Sequence, residues 1–338
     1  MSRIEVRDFA GADLAPAAQL LSDRLARTDA PSPGSDFAPH DTDSCRKVLE
    51  RLASEKYARG AIASASGAPI GFLFAQRNLT APDSALAYFS PAFSVGSPLS
   101  GHAVAAGHDP GVVYRELFAF LAADLVRDGF LDFGVGMLAA EREVAYAWSA
   151  LGFGRHFTLA LRGVEPLPAP PRADLEIREA AERDLPGVFE LLAEQRRFHA
   201  RAPMFLPDLR ILREPQEAMT RAFLGQPRCP IFVAWRDGRA LGMQLFAPRS
   251  FVPWPLRDDA TVYLFQGVVR ESERGSGVGA ALLEHSLAWM RREGVRRCGL
   301  HFLSANPSGS VFWQRHGFRP AEHTLQRTVD ARMAWSSR

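Results

Sequence analysis

The order of apolar and polar positions repeats a strand-and-helix unit at two places in the chain. Residues 4–21, IEVRDFAGADLAPAAQLL, alternate apolar and polar side chains, pass through an acidic region and then place apolar residues at helical spacing. Residues 175–192, LEIREAAERDLPGVFELL, follow the same pattern without a gap, so that Asp13 aligns with Asp184. Each copy predicts a short strand, a capped helix start and an amphipathic helix.

Two later blocks repeat in the same order. Residues 67–76, GAPIGFLFAQ, align with residues 238–248, GRALGMQLFAP. Residues 149–155, SALGFGR, align with residues 314–320, QRHGFRP. Matched blocks in one order and at similar spacing predict two copies of one fold.

The segment between the copies is rich in proline. It reads GVEPLPAPPRADL at residues 163–175, a composition that is typical of a semi-rigid linker. The sequence therefore predicts two domains, residues 1–163 and residues 174–338, joined by a linker at residues 164–173.

Three glycines of the second copy occupy a turn between a predicted strand and a predicted helix. The strand is predicted for residues 261–269, TVYLFQGVV, which are β-branched and aromatic. Gly275, Gly277 and Gly279 follow it and lead into apolar residues at helical spacing. A helix N-terminus presents free N–H groups and a positive dipole end, and glycines permit left-handed angles and close approach. This arrangement favours phosphate binding, with Arg274 at the rim.

Two other phosphate-binding loops compete with this interpretation. A P-loop requires Lys followed by Ser or Thr after the last glycine, and residues 278–280, VGA, supply neither. A dinucleotide-binding loop fits more closely, since Gly275-x-Gly277-x-x-Ala280 has the form G-x-G-x-x-A. The next predicted strand, RCGLHFLSAN at residues 297–306, ends without the acidic residue that would bind a ribose, which argues against that fold.

The loop and a second motif together resemble the GNAT superfamily of N-acetyltransferases. Arg274-x-x-Gly277-x-Gly279 before an amphipathic helix resembles the pyrophosphate loop of that superfamily. NPSGSVFWQRHGF resembles its later strand–helix motif, in which Asn306 is predicted to cap the last helix and Gly317 to end it. The resemblance covers nearly all of the second copy. It implies an α/β fold with a mixed sheet, here as two tandem GNAT (acyl-CoA N-acyltransferase) domains, and acetyl-CoA as the cofactor.

For the cofactor site, the resemblance implies a set of backbone and side-chain contacts. Acetyl-CoA would lie between two splayed parallel strands, here residues 261–269 and 297–303. Backbone groups of Val268 and Val269 would pair with the pantetheine arm, and one of their N–H groups would stabilise the thioester oxyanion. The remaining contacts would come from the loop and from the last helix, at Arg274, Gly275, Ser276, Gly277, Val278, Gly279, Ala280, Asn306, Phe312 and Trp313.

The same resemblance implies acetyl transfer to a primary amine by direct attack on the thioester, which requires a proton to leave the amine. Two positions depart from the family pattern. Gln266 stands where a carboxylate often serves as the base, and Trp313 stands where a tyrosine serves as the acid. The candidates to replace the base are, in order of preference, His301, Tyr263, Glu271 and His316.

The first copy lacks the glycine loop. Its corresponding positions are residues 109–114, DPGVVY, where Asp109, Val112 and Tyr114 replace the arginine and two of the glycines. An acidic residue and two bulky ones would repel and obstruct a pyrophosphate, and Glu141 replaces the capping asparagine. The first domain is therefore predicted to bind no cofactor, and either to complete the acceptor pocket or to hold the domain pair together.

The acceptor is predicted to be a small-molecule amine, with a protein or peptide N-terminus or lysine as the alternative. Two segments are candidates for the walls of its pocket, RRFHARAPMFLPDLR at residues 196–210 and PRSFVPWPLRDD at residues 248–259. Arginines there would favour an acceptor that bears a carboxylate or a phosphate. Because Gln266 and Trp313 replace the usual catalytic groups, a non-catalytic acyl-CoA-binding protein is a further alternative.

Composition and charge narrow the choice of partners. The chain of 338 residues is 47% apolar and 23% charged, with a net charge of +2 and no dense basic run, so neither nucleic acid nor a membrane is expected. It has no uninterrupted apolar stretch of bilayer-spanning length, and MSRIEVRDFA lacks the apolar core of a secretory signal. Cys45, Cys229 and Cys298 are far apart and lack zinc spacing, which predicts reduced thiols, no metal and a cytoplasmic location. A monomer or a homodimer is expected.

Overall fold

A single mixed sheet of thirteen strands runs through the described part of the protein. The computed structural model describes residues 3–27, 40–168 and 174–335. The elements of the first half are, in chain order, β1 (Ile4–Asp8), α1 (Leu14–Arg27), α2 (Thr42–Ser54), β2 (Ala58–Ala65), β3 (Ala68–Asn78), β4 (Ser94–Ser97), β5 (His102–Val104), α3 (Pro110–Arg127), β6 (Asp132–Leu138), α4 (Arg142–Ala150) and β7 (Gly154–Gly163).

The second half repeats this order, with one long strand, β11, in place of β4 and β5. Just as β10 pairs along β11, β3 pairs with both β4 and β5. This repetition confirms the prediction of two copies of one mixed α/β fold. The elements of the second half are β8 (Glu176–Glu179), α5 (Leu185–His199), α6 (Arg213–Phe223), β9 (Ile231–Arg236), β10 (Arg239–Ala247), β11 (Thr261–Val269), α7 (Val278–Arg292), β12 (Arg297–Leu303), α8 (Pro307–Arg315) and β13 (Arg319–Thr328).

The last strand of each half is exchanged between the halves. β7, from the first half, lies between β12 and β13 of the second, and β13 pairs in turn with β6 of the first half. These pairings are antiparallel, with Ala160 opposite Leu300 and Leu325 opposite Val135. Each half is therefore completed by a strand of the other, and the hydrogen-bonded ladder crosses from one half to the other without a break.

The predicted division into residues 1–163, a linker at 164–173 and residues 174–338 stays a prediction. β7 ends at Gly163 and β8 begins at Glu176, while residues 169–173 of the linker lie outside the described residues. Because β7 and β13 are exchanged, neither half of the sheet is built from one continuous segment of the chain.

Helices cover both faces of the sheet. On one face, α1, α2, α5 and α6 contribute to one apolar core that both halves share, which includes Leu21, Leu161 and Leu191. On the other face, α3 and α4 form a core within the first half, and α7 and α8 form one within the second. Alternation along each strand supplies both faces, as at β9, where Val233 joins the shared core and Phe232 joins the core under α7.

The acidic residue that repeats at the start of each copy is a structural cap. Asp13 and Asp184 accept hydrogen bonds from Arg7 and Arg178, at 2.7 and 2.6 Å respectively. Each carboxylate also accepts from the backbone N–H three residues earlier, at 2.8 Å. The hydrogen bond from Arg178 lowers the pKa of Asp184 to about 2. The repeated aspartate therefore fixes the entry into the first helix of each half and is not part of a catalytic site.

The strand exchange makes a prediction for stability. Leu325 lies on β13, in the second half of the sequence, yet it is buried in the core of the first half. We expect Leu325→Ala to lower the free energy of unfolding by about 2–4 kcal/mol in urea titrations, because it leaves a cavity under α3 and α4. The exposed Leu79, changed to Ala, is the control and should alter it by less than about 0.5 kcal/mol. A separate early transition of the first half would contradict the coupling that the exchange implies.

Candidate active site

β11 and β12 are neighbouring parallel strands that stay paired along only part of their length. The ladder joins Thr261–Leu264 to Arg297–Leu300, and beyond it β11 and β12 no longer pair with each other. At the same point the register between β10 and β11 shifts, because Leu245 and Phe246 lie opposite Gln266 and Leu264 and leave one residue of β11 unpaired. A gap therefore opens between the two strands.

Backbone groups along β11 point alternately toward β10 and toward this gap. The N–H of Arg270 donates to the carbonyl of Leu241 on β10 at 2.8 Å. Val268 has the same parity and directs its N–H and C=O toward β10 as well, whereas Val269 and Gly267 direct theirs toward the gap. Val268 and Val269 were both expected to offer backbone groups to a cofactor. Only Val269 directs them toward the gap, and Gly267 does the same.

The glycines of the loop are explained by two different constraints. Gly275 and Gly277 have left-handed φ angles of 79° and 92°, which favour glycine, and Gly277 is the N-cap of α7. Gly279 lies in the first turn, where an added Cβ would come within 3.2 Å of the Phe312 ring. The first N–H groups of α7 have no partner inside the helix, so the loop presents free donors at the positive end of the helix dipole.

A cavity of about 570 Å³ lies between this loop, the gap and α8. The structure brings most of the predicted cofactor residues to its wall, but not the side chains of Ser276 and Val278. Ser276 donates its hydroxyl to the Glu273 carbonyl, and Val278 is buried in the core under α7. The predicted residues that line the cavity are Val268, Val269, Arg274, Gly275, Gly277, Gly279, Ala280, Asn306, Phe312 and Trp313.

The end of α5 forms another wall of the same cavity. The sequence analysis did not assign this helix to the cofactor site. The guanidinium of Arg274 lies over the ring of Phe198, 4.0 Å from its centroid. Gln195 and His199 also line the cavity, and His199 bonds through Nδ1 to the hydroxyl of Tyr88 in the first half at 3.1 Å. Burial, with a contribution from Arg274, lowers the pKa of His199 to about 4. The sequence did point to this part of the chain, since His199 falls within residues 196–210, which were predicted to form a wall of the acceptor pocket.

Asn306 confirms its predicted role as the cap of α8. Its side chain accepts hydrogen bonds from the backbone N–H groups of Ser308 and Gly309, at 3.2 and 2.9 Å. Pro307 is the first residue of the helix, and Gly317 follows its end with a left-handed φ of 89°. The cap holds the start of α8 against the gap between the strands.

A second cavity, of about 440 Å³, adjoins the first. Both halves wall it: Asn78, Leu86 and Phe89 come from the first half, and Phe251 and Leu206 come from the two segments predicted to form the acceptor walls. The two cavities meet at a shared set of lining residues, namely Gln195, His199, Gly267, Asn306 and Trp313.

His301 and Tyr263 face each other in the second cavity. The Tyr263 hydroxyl lies 2.8 Å from Nδ1 of His301, and either group can be the donor, depending on the histidine tautomer. Burial lowers the pKa of His301 to about 4 and raises that of Tyr263 well above its usual value. Both side chains are therefore uncharged at neutral pH.

The other predicted catalytic residues lie in different surroundings. Gln266 lines the second cavity beside the register shift, and Trp313 packs over Gly267. Glu271 is exposed and pairs with Arg201 at 3.0 Å, outside both cavities. The remaining candidate, His316, lines the first cavity and bonds through Nδ1 to the backbone carbonyl of Phe312.

Comparison with known families identifies the second half. Residues 188–318 match the model of the acetyltransferase (GNAT) family. This segment is a GNAT acetyltransferase domain. The resemblance carried by the glycine loop and the last helix is thus confirmed, whereas no curated protein sequence matches the chain.

Solved structures extend the likeness of fold to both halves. A GCN5-related N-acetyltransferase from Sphaerobacter thermophilus is 16% identical and covers 96% of this chain and 95% of its own, with a TM-score of 0.61. A tandem GNAT protein from the clavulanic acid biosynthesis pathway is 16% identical over 97% and 99%, with a TM-score of 0.55. A GNAT acetyltransferase from Colwellia psychrerythraea is 13% identical over 96% and 100%, at 0.50. The chain therefore has the tandem GNAT fold.

In the first half, side chains fill the groove that corresponds to the loop and cavity of the GNAT domain. α3 begins at Pro110 with Asp109 as its N-cap, so the left-handed Gly107 lies before the helix start and no glycine occupies the N-cap position that Gly277 has in α7. The Tyr114 hydroxyl bonds to Nδ1 of His102 at 2.7 Å, and the tyrosine ring stacks on Trp148. Among the described residues, this leaves no counterpart of the cradle at the start of α7.

A buried ion pair closes the same groove. Arg24 and Glu141 are joined at 2.6 Å, and their side chains are only 3% and 6% exposed. Arg24 also donates to the carbonyls of Leu99 and His102, at 2.9 and 2.6 Å. Glu141 stands at the position of Asn306, so the residue that caps α8 in the GNAT domain is replaced by one that holds a buried arginine.

Neither a metal centre nor a membrane span is found in the described ranges. No group of three or more His, Cys, Asp or Glu side chains there is placed to hold a metal ion. No helix there combines the length and apolarity needed to cross a bilayer. Cys45, Cys229 and Cys298 are buried free thiols.

The buried pair in the first half makes a second prediction. Glu141→Gln leaves Arg24 buried without its carboxylate, and we expect the free energy of unfolding to fall by about 3–5 kcal/mol in denaturant titrations. Glu50→Gln, which breaks the exposed pair with Arg46, is the matched control and should cost less than about 1 kcal/mol. Equal stability of the two variants would show that the pair does not hold the groove closed.

Proposed function

We propose that the protein is an acetyl-CoA-dependent N-acetyltransferase that acts on the primary amine of a small molecule. One observation carries the proposal: the glycine turn at the start of α7 opens into a cavity that joins a second cavity at the gap between β11 and β12. The first cavity suits the carrier and the second suits the acceptor, and their junction is where a thioester and an amine would meet.

The residues present fit coenzyme A. The free N–H groups at residues 278–280 and the guanidinium of Arg274 would hold a diphosphate, because both favour negative charge at this helix end. The backbone groups of Val269 and Gly267 would pair with the amides of the pantetheine arm, and Phe312 would flank it. When bound, the acetyl thioester supplies the electrophilic carbonyl carbon.

The reaction requires the amine to lose a proton. An alkyl amine with a pKa of about 10 is roughly 0.1% neutral at pH 7, which corresponds to about 4 kcal/mol of barrier. If Nδ1–H of His301 donates to the Tyr263 oxygen, Nε2 is free to accept a hydrogen bond from the amine. Because the pKa of His301 is about 4, we assign it to orient the amine and pass its proton on through water, not to retain that proton.

The backbone also stabilises the negative charge that develops on the thioester oxygen. The N–H groups of Gly267 and Val269 face the gap, and in this proposal one of them donates to that oxygen. Trp313 packs over Gly267 in place of an acidic hydroxyl. With a pKa of about 8.5, a thiol is a tolerable leaving group as its anion, so no acid is required at this position.

The size of the acceptor cavity supports a small molecule. The cavity of about 440 Å³ is lined by side chains of both halves, including Phe89 and Phe157 from the first and Phe251 from the second. A cavity of this volume takes a metabolite-sized ligand. An amine carried by a protein N-terminus or a lysine would have to enter it as an extended, narrow chain.

The cofactor assignment is tested at the N-cap of α7. Gly277→Asp places a carboxylate where the diphosphate would bind, and the left-handed φ of 92° strains any side chain there, so the control variant must carry the same strain. We expect the Kd for coenzyme A, measured by calorimetry, to rise by about 10- to 100-fold, and thiol release from acetyl-CoA with a panel of small amines to fall in proportion.

Gly129→Asp is the matched control, since Gly129 has a φ of 91°, close to the 92° of Gly277, and open space around it. It should change neither quantity. Equal affinity in wild type and in Gly277→Asp would refute the assignment, and coenzyme A binding without thiol release by any amine would favour the non-catalytic alternative.

The role of His301 predicts a pH profile. Because its pKa is about 4, kcat/KM should rise with pH only as the amine loses its proton, without a histidine inflection between about pH 5 and 8. His301→Gln should lower kcat by about 10- to 100-fold with a smaller effect on KM.

His285→Gln, on α7 and away from both cavities, is the control and should match wild type. An inflection near pH 6.5 that disappears in His301→Gln would contradict the assignment of a low pKa by burial.

A further inference from the structure

A third cavity, of about 450 Å³, lies in the first half at the position equivalent to the acceptor cavity. β4 and β6 pair in parallel at its floor, as β11 and β12 do in the second half. Gly136 lies two residues before the end of β6, just as His301 lies two residues before the end of β12. The first half therefore retains the space of an acceptor pocket but lacks the histidine.

The strand exchange places a carboxyl group in that space. β13 carries Glu322 over β6, where a Cβ added to Gly136 would collide with Oε1 of Glu322, so a side chain at this position would displace the carboxyl group. Glu322 is 6% exposed and lines the cavity. Among the described residues its carboxyl group makes no hydrogen bond and no ion pair within 4 Å, although the charge of Arg24 acts on it from farther away. Ser97 lines the same cavity, and its Oγ is also buried without a partner.

This cavity adjoins the acceptor cavity, and the two share part of their walls. Along β13, Glu322 and Thr324 are two residues apart and lie on one face, and Thr324 lines both cavities. A ligand that occupied both cavities would run from His301 past Thr324 to Glu322. The residues that the two cavities share are Asn78, Phe89, Ser90, Phe157 and Thr324.

We propose that Glu322 and Ser97 form a distal subsite that binds a second ammonium group of the acceptor, so that the substrates are diamines or amines with a cationic far end. The inference rests on the proposed function for the site where the first amine reacts. An ammonium group has three donors and no acceptor, so it would supply the hydrogen bonds that the carboxylate and the hydroxyl lack.

The surroundings of Glu322 fit a site that ionises when a cation binds. Burial raises the pKa of Glu322 to about 8, and an adjacent ammonium would lower it again. Diamine binding near pH 7 should therefore release a proton. Other charged or titratable groups also face this region, namely Arg24 on α1 with its partner Glu141 at the N-cap of α4, Arg77 on β3, His102 on β5, Asp132 on β6, His156 on β7 and Tyr263 on β11.

The experiment compares ligands that differ only at the far end. A series of α,ω-diaminoalkanes is tested for thiol release, each beside the monoamine and the amino alcohol of equal length. At the best length, wild type should prefer the diamine in kcat/KM by about 10- to 100-fold, and Glu322→Gln should abolish that preference. Glutamine has the shape of the neutral carboxyl, so this variant should fold. Glu116→Gln, which removes an exposed charge on α3, is the control and should keep the preference.

Calorimetry without acetyl-CoA separates this inference from the proposed function. Wild type should bind the diamine and release a proton, measured in two buffers of different ionisation enthalpy, whereas Glu322→Gln should bind it at least about tenfold more weakly. If that holds while no amine releases thiol, the subsite stands and the acetyltransferase proposal fails. If diamine binding and preference are the same in wild type and Glu322→Gln, or if amino alcohols bind as well as diamines, the ammonium subsite is refuted whatever the activity.

Discussion

Antiparallel pairing between the exchanged strands β7 and β13 is the interaction on which the rest of the structure depends. These two strands are hydrogen-bonded to each other at the centre of the sheet, and each also pairs with a strand of the other half. A strand with an unsatisfied edge is a liability, and the exchange satisfies the inner edges of both halves at once. It also brings Phe157 into the acceptor cavity of the second half and Glu322 into the third cavity of the first half. Neither cavity would have these walls in an isolated half.

The two halves show how few side chains decide whether a fold of this kind has a cofactor cradle. In the second half a left-handed glycine starts α7, and an uncharged asparagine caps α8. In the first half Tyr114 and the Arg24–Glu141 pair occupy the corresponding groove and are fully or nearly fully buried. A buried ion pair tolerates no ligand in its place, because separating the charges leaves them desolvated and unpaired. The groove of the first half is thus closed. Its remaining open space is the third cavity, which Glu322 of β13 lines.

Burial favours the uncharged form of two histidines and one tyrosine in the proposed site. Burial desolvates His301, His199 and Tyr263, so their uncharged forms are favoured. Uncharged groups can orient an amine and relay its proton while the site stays compatible with an apolar cofactor arm. Gln266 and Trp313 fit the same pattern, since neither carries charge. The cost is a weak base at His301, which places more of the work on positioning and on the backbone donors of β11.

The sequence by itself determined the repeated fold, the turn at Gly275 and Gly277, and the cap at Asn306, because periodicity, turn glycines and caps are properties of neighbouring residues. It also identified the candidates His301 and Tyr263 through their place on adjacent strands. Only the tertiary structure decided that the last strands are exchanged, since β7 and β13 have the same alternating pattern whichever half they join. Tertiary structure also decided that Val269 and Gly267, and not Val268, direct their backbone groups toward the gap, because this follows from how β10 and β11 pair. It likewise decided that Glu322 lies against Gly136. Contacts of this kind join residues far apart in the chain, and no local pattern records which distant strand lies alongside.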